Sequence, residues 1–312
     1  MVVIRRSNES VAALMEKPLA TPMAKSMTTP VFDPHVHFFA YGRGDYYWLK
    51  QQGPPFWPQK QCIQRDFAMA DLILGHGLEL KGVAHIEAGF DNQHPAKELD
   101  WLQELGFRGP AISYAAIDQA PEQFAASLQR LKFPLLRGIR DITEGLDGER
   151  LLSPNVGKNL TLLCEQGLLF EAQFSLCEPE LAAAVVAHAK ANPRLNIVIN
   201  HAGLVTPATW DTWLEGLSLC AGCDNIYLKC CGWEITHPDG DINWQQKVIR
   251  TAILHLGFQR VMLASNFPLC LFKTSYQQLW LDYQAMDLPH FSALACVNAQ
   301  RLYGTETRTP DA

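Results

Sequence analysis

Val31-Phe32-Asp33-Pro34-His35-Val36-His37-Phe38-Phe39 reads as a short apolar strand that ends in two histidines one residue apart. Residues i and i+2 of a strand point to one face, so His35 and His37 can aim two imidazoles at one point. Neutral imidazole is the commonest protein ligand for zinc and related ions. Two ligands do not make a metal site, so the rest of the chain must supply the others.

Beyond this stretch the pattern alternates. Helices are predicted over 66–79, 94–105, 121–132, 155–165, 178–191, 209–219 and 244–256. Strands are predicted over 81–87, 107–114, 134–142, 168–174, 195–200, 225–231 and 260–265. Two further helices, 275–287 and 291–303, close the chain. Strands alternating with helices imply parallel pairing through right-handed crossovers. Eight such units in about 270 residues fit one closed α/β fold, the (β/α)8 TIM barrel. An open sheet binding a dinucleotide would need a Gly-rich phosphate turn after an early strand, and none is present. The loop 40–61 carries Tyr41, Tyr46, Tyr47, Trp48, Phe56 and Trp57. A loop of that length serves as a pocket wall or as an aromatic plug over the core.

In such a barrel the active site lies at the carboxyl ends of the strands. Read in order, those ends offer His35 and His37, then His85 and Glu87, then Arg137 and Arg140 with Asp141. They continue with Glu171 and Gln173, Asn200 and His201, Lys229 and Cys231, and last Ser265 and Asn266. Apolar strands with a polar residue at nearly every carboxyl end are hard to explain by packing alone. Each residue also has a structural reading. Glu87 can cap the next helix, and Lys229 can pair with Glu171. His85 can be a satisfied core histidine. The arginines can form internal ion pairs or grip a substrate carboxylate. His237 belongs to a loop that could reach the barrel mouth.

A chain of 312 residues with a formal net charge of -6 gives no reason to expect nucleic acid as a partner. No apolar run approaches the roughly 18 residues that span a bilayer. Residues 1–30 read as a flexible extension whose apolar patch, 11–15, is too short for a signal-peptide core. Residues 305–312 read as a tail. Nine scattered cysteines fit reduced thiols in a cytoplasmic protein better than a disulfide framework. The pair Cys220 and Cys223 has no second C-x-x-C to complete a zinc set.

The chain resembles the amidohydrolase superfamily, in the branch that contains sugar-lactone and pyrone-dicarboxylate lactonases. The resemblance runs from about Val31 to Tyr303. Its words are Asp33-Pro34-His35-Val36-His37-Phe38-Phe39, Tyr47-Trp48-Leu49, Leu136-Arg137-Gly138-Ile139-Arg140, Asn200-His201-Ala202-Gly203, Tyr227-Leu228-Lys229-Cys230-Cys231-Gly232 and Ala264-Ser265-Asn266-Phe267-Pro268. It implies hydrolysis of a carboxylic ester, a small sugar- or dicarboxylate-type lactone, at the strand ends. One zinc or other divalent ion would polarise the carbonyl or activate water, and members of the branch also work without metal. By resemblance, His35, His37, His201 and Glu87 are catalytic and metal-ligating, and Asn266 takes the place of the catalytic acid. Arg137, Arg140, Gln173, Lys229, Tyr47 and Trp48 contact the substrate. Two departures stand out: Gln173 where many members carry histidine, and Asn266 where the usual word has Asp. Decarboxylation on the same barrel, and a catalytically inactive small-molecule-binding protein, are the rival readings.

Overall fold

Parallel strands run in chain order around one sheet: β1 (Thr29–Val36), β2 (Leu78–Ile86), β3 (Ala111–Tyr114), β4 (Leu136–Ile142), β5 (Leu169–Gln173), β6 (Ile197–Ile199), β7 (Ile226–Cys230) and β8 (Val261–Leu263). The computed structural model describes residues 28–304. The expected extension and tail lie almost wholly outside these residues, but Thr29 and Pro30 already belong to β1. Every strand pairs in parallel with the next. The ring closes between β1 and β8 through a Val36–Phe267 bridge and a His37 N–H donated to Phe267 O at 2.7 Å. Pro34 offers no N–H, and the β1–β2 register shifts between Asp33 and Val36. The Asp33 carboxylate serves this seam instead, accepting from the backbone N–H groups of His35 and Ser265 at 3.1 Å each.

The helices between strands are α1 (Ala96–Glu104), α2 (Pro121–Arg130), α3 (Val156–Glu165), α4 (Pro179–Ala191), α5 (Trp210–Ala221), the single turn α6 (Trp233–Thr236) and α7 (Ile242–Leu256). Then α8 (Tyr276–Ala285) and α9 (Asn298–Tyr303) end the described chain. The fold is the (β/α)8 barrel. One expected helix is missing. Residues 66–79 form only the 3-10 turn Met69–Asp71, and β2 starts at Leu78. Phe67 instead exchanges two backbone hydrogen bonds with Phe39, tying this crossover to the continuation of β1. A second correction shortens β3, which starts at Ala111 rather than at 107, beyond Pro110. The last helix also opens as a π-helical segment, Ala293–Val297.

Side-chain alternation sorts the barrel interior into levels. Phe32, Ile112, Leu169, Val198 and Met262 form an apolar layer, which Ala299 and Tyr303 of α9 close from below. Above Leu169 the same face of β5 carries Glu171 and then Gln173. Gly138 of β4 lets that strand approach, since a Cβ there would lie 2.3 Å from Leu169 O. Among the described residues no helix is long and apolar enough to cross a membrane. The nine cysteines are free, and Cys220 and Cys223 are both buried.

Candidate active site

The lowest polar level is an ion pair. Lys229 and Glu171 are both 0% exposed and meet at 2.6 Å through both carboxylate oxygens. Asn200 donates to Glu171 Oε2 at 2.6 Å, and the Tyr303 hydroxyl donates to Oε1. Burial lowers the Lys229 pKa, against the pull of Glu171. The third Lys229 N–H turns to His35 Nδ1 at 3.5 Å.

Arg140 forms the next level. Its Nε donates to Glu87 Oε1 at 2.8 Å, and its Nη2 reaches both Oε1 (2.7 Å) and the Glu87 backbone carbonyl (2.8 Å). Its Nη1 donates to Gln173 Oε1 at 3.1 Å and faces His35 Nε2 at 3.5 Å. Arginine has five N–H donors; four reach an acceptor oxygen here and the fifth faces His35. A two-pronged grip on a substrate carboxylate, expected from the sequence, therefore has no free pair of donors. Arg137 lies elsewhere. It is three residues before Arg140, hence on the other side of the strand, and it donates to the carbonyls of Tyr303 and Leu136. The structure does not bring Arg137 to the cluster.

His35 stands between the two cations. Burial, then the charges of Lys229 and nearby groups, hold its pKa well below the ordinary value. A neutral imidazole accepts at one nitrogen only. One cationic N–H, from Lys229 or from Arg140, is thus left facing the His35 N–H without an acceptor.

His37 and His201 complete the histidine group, with ring centroids 5.0 Å and 4.8 Å from that of His35. His37 Nδ1 lies 2.9 Å from Ile86 O and 3.1 Å from Glu87 O, and its Nε2 is 3.2 Å from Asn266 Oδ1. Asn266 holds a left-handed φ of 57°, which asparagine tolerates better than most residues, and donates to Glu234 Oε1 at 2.5 Å. His201 has φ 52°, an uncommon conformation for histidine. Its Nδ1 is 3.4 Å from Cys231 Sγ, a thiol that burial keeps protonated. A donating thiol leaves the His201 hydrogen on Nε2. Burial, reinforced by Arg140 and Lys229, lowers the His201 pKa to about 3.

Gly232 makes the room. A Cβ there would lie 2.7 Å from His201 Nδ1, at a backbone φ of 77°. Gly232→Ala is expected to cost about 1–3 kcal/mol and to move His201. An unchanged urea midpoint would show that the ring can yield.

Glu87 and Glu234 are buried carboxyls whose pKa burial raises to about 7. Glu234 was not among the residues picked from the sequence. Its signal was an acid two residues beyond the Gly turn that ends the strand-seven word. His85 is a core histidine. It donates from Nε2 to Glu98 at 2.9 Å and accepts the Phe38 N–H. Trp48 donates to Ala88 O at 2.7 Å and meets Trp57, which meets Phe272, so the aromatic loop spans from β2 to β8. Tyr47 is exposed beside it. Clefts on the same rim, about 510 Å³ beside Leu146 and Glu178 and about 430 Å³ beside His94 and Arg130, are not lined by the buried cluster.

The expected zinc shell of His35, His37, Glu87 and His201 does not fit these positions. The Arg140 guanidinium lies against both Glu87 and His35, where it would repel a divalent ion. Among the described residues no group of three or more His, Cys, Asp or Glu side chains is placed to hold a metal ion. Gln173, one of the two departures, belongs to the Arg140 network.

Residues 32–305 match the amidohydrolase family along almost the whole barrel. The chain belongs to the amidohydrolase family. This amidohydrolase is 26% identical over 298 residues to an uncharacterized protein of Sinorhizobium fredii, covering 88% of this chain and 98% of the relative. It is 25% identical over 245 residues to an L-fucono-1,5-lactonase of Burkholderia ambifaria, covering 76% and 79%. Among solved structures, an amidohydrolase of Burkholderia multivorans with bound zinc superposes at a TM-score of 0.72. It has 19% identity and covers 88% of this chain and 98% of that one. At that identity the likeness shows the fold.

Proposed function

We propose that this amidohydrolase hydrolyses a carboxylic ester, and that its substrate is a small sugar lactone. The observation that carries the reading is the unmatched cationic N–H beside His35. A buried cationic donor is suited to a carbonyl oxygen that gains charge during attack by water. His201, with its hydrogen on Nε2, adds a neutral donor from the facing side. Glu87 receives the water proton. Its Oε1 takes both Arg140 side-chain bonds, Oε2 lies outside that pair, and a pKa of about 7 suits a general base. The C–O bond to water forms, the ring C–O bond breaks, and the leaving alkoxide takes a proton.

Of the two lactone classes the sequence allows, the polyol one suits this site better. Arg140 faces Glu87 and Lys229 faces Glu171, so each cation already spends its donors on a carboxyl group and neither offers a two-pronged grip to a dicarboxylate. The lactonase among the relatives supports the same choice. No step is routed through a metal, because the donor set does not fit one.

The test is a panel of sugar lactones beside pyrone dicarboxylates, followed by acid release, with carbon dioxide release measured in parallel. Turnover of a sugar lactone is expected. Carbon dioxide without acid release would give the decarboxylase reading, and binding without turnover the inactive binding protein.

Arg140→Lys separates two roles. Three ammonium donors at one point cannot replace the five N–H contacts that Arg140 makes to Glu87, its carbonyl, Gln173 and His35. We expect kcat to fall at least about tenfold, with KM for the sugar lactone little changed. A large rise in KM alone would restore Arg140 as a substrate grip.

A further inference from the structure

Strand β4 keeps its extended course past Ile142 and carries one more acid to the mouth of the barrel. Arg140 and Ile142 pair in register with Glu171 and Gln173 of β5, so they share the inward face with those residues. Thr143 continues the ladder, donating its N–H to Gln173 O at 2.9 Å, and Glu144 is still extended at φ -118° and ψ 156°. Alternation therefore sends the buried Thr143 outward and Glu144 inward, above Gln173. Arg140, Ile142 and Glu144 form one column from the buried cluster to the mouth. Arg140 is 5% exposed, Ile142 38%, and Glu144 is exposed.

The fold itself makes little use of the Glu144 carboxyl. It stands at the N-cap of the 3-10 segment Gly145–Leu152 but accepts no capping hydrogen bond there. The cation that acts on it, Arg140, is bonded to Glu87 instead. Crowding by the protein raises the Glu144 pKa, the Gln173 side chain and the Arg140 charge pull it back, and Asp147 adds a like charge. Gln173 gives its oxygen to Arg140, so its amide N–H group is what it turns toward Glu144. The mouth at β4 thus offers an apolar step, an amide donor and a carboxyl acceptor in sequence. A polyol matches that order, because its ring C–H edges are apolar and its hydroxyls need acceptors. A carboxylate ligand does not, since it would meet Glu144 and Asp147 as like charges.

We infer that Glu144 is the specificity residue of the site: its carboxyl accepts hydroxyl groups of a neutral polyol lactone lying over Ile142, and its charge turns anionic lactones away. The inference rests on the sugar-lactone reading and adds which part of the substrate is recognised, and by what. With the carbonyl beside His35, the ring hydroxyls extend up the β4 column toward the Gln173 amide and Glu144. No bond forms or breaks at Glu144, so it governs which lactone is held.

The test compares Glu144→Ala and Glu144→Gln with the parent, using the full chain at mildly alkaline pH. The probes are two neutral six-membered lactones, L-fucono-1,5-lactone and the hydroxyl-free δ-valerolactone, with a pyrone dicarboxylate as anionic competitor. Glu144→Ala should lower the ratio of kcat/KM for the fuconolactone to that for δ-valerolactone about tenfold, the effect of one lost hydrogen bond to a charged group. Glu144→Gln keeps an oxygen acceptor but no charge. It should lose less of that ratio and let the pyrone dicarboxylate inhibit at a several-fold lower concentration. An unchanged ratio in Glu144→Ala, whether or not both rates fall together, would overturn the inference. So would unchanged inhibition in Glu144→Gln, or a parent that hydrolyses δ-valerolactone alone. If the parent turns over neither lactone, the hydrolysis reading fails separately, and calorimetric titration with L-fucono-1,5-lactone carries the test. Binding weakened about tenfold in Glu144→Ala then supports the subsite. Equal binding in parent and variant, or none in the parent, ends it.

Discussion

Lys229→Met is expected to lower the unfolding free energy by about 3–5 kcal/mol, the usual consequence of orphaning one partner of a buried ion pair. The lysine and Glu171 are wholly buried, and both carboxylate oxygens receive the ammonium at 2.6 Å. Without it, Glu171 keeps Asn200 and Tyr303 as donors but has no charge partner. It must then take up a proton, which turns one of its two oxygens from acceptor into donor against those same donors. Pairing the change with Glu171→Leu removes the orphaned acid and should recover most of the loss, since apolar replacement of a whole buried pair is often neutral. Urea denaturation of the parent, both single variants and the double variant measures this. A single-variant loss below about 1 kcal/mol would mean that solvent reaches Glu171. Because Tyr303 donates from α9, the same variant should loosen the end of the chain, seen as faster amide exchange there.

How much of this could be read in the sequence varies residue by residue, for physical reasons. The pairing of His35 with His37 was legible because strand alternation is local. The same rule applied to Arg137 and Arg140 separates them, since an odd spacing sends the two side chains to opposite sides of β4. The alternation of eight strands with helices was legible too, because each buried strand announces itself in apolar runs. The apolar-polar mixture of 66–79 does not by itself fix a helix, and the segment forms only the 3-10 turn Met69–Asp71 before β2. There, Phe67 finds its backbone partners on Phe39, a choice made by tertiary pairing. Donor saturation was beyond reach. That Arg140 spends its N–H groups on Glu87, Gln173 and His35 depends on residues up to 105 positions apart. Glu234 lies beyond the strand-seven word, and only the α6 turn, a tertiary feature, carries the acid back over Asn266. The two departures from the superfamily pattern make sense together. Gln173 offers an oxygen to Arg140, and Asn266 links an imidazole to a carboxyl. Both sit where hydrogen bonds are needed.

Glu87→Gln is the variant expected to cost the most activity. If Glu87 takes the proton from the attacking water, its loss should lower kcat by about 10²–10⁴. The amide keeps an oxygen for Arg140, so the ion pair becomes a hydrogen bond and the guanidinium stays in place. KM should therefore change little. The pH dependence supplies a second signature. Burial raises the Glu87 pKa from 4.5 to about 7, in spite of Arg140. The rate of the parent should rise with pH through about 7 as the base ionises, and the variant should lack that rise. Stability runs the other way. Between about 4.5 and about 7 the folded state holds a proton on Glu87 that the unfolded state has released. This contribution to stability is full below about 4.5 and is lost as pH rises through about 7, so Glu87→Gln should flatten that fall. Glu234 and Asp33, raised to about 7 and about 6, titrate in the same window. A pH profile of the parent alone therefore cannot assign the base, and the comparison of Glu87→Gln with Glu234→Gln is what separates them. A kcat within about threefold of the parent, with the rise near pH 7 intact, would remove Glu87 as the base.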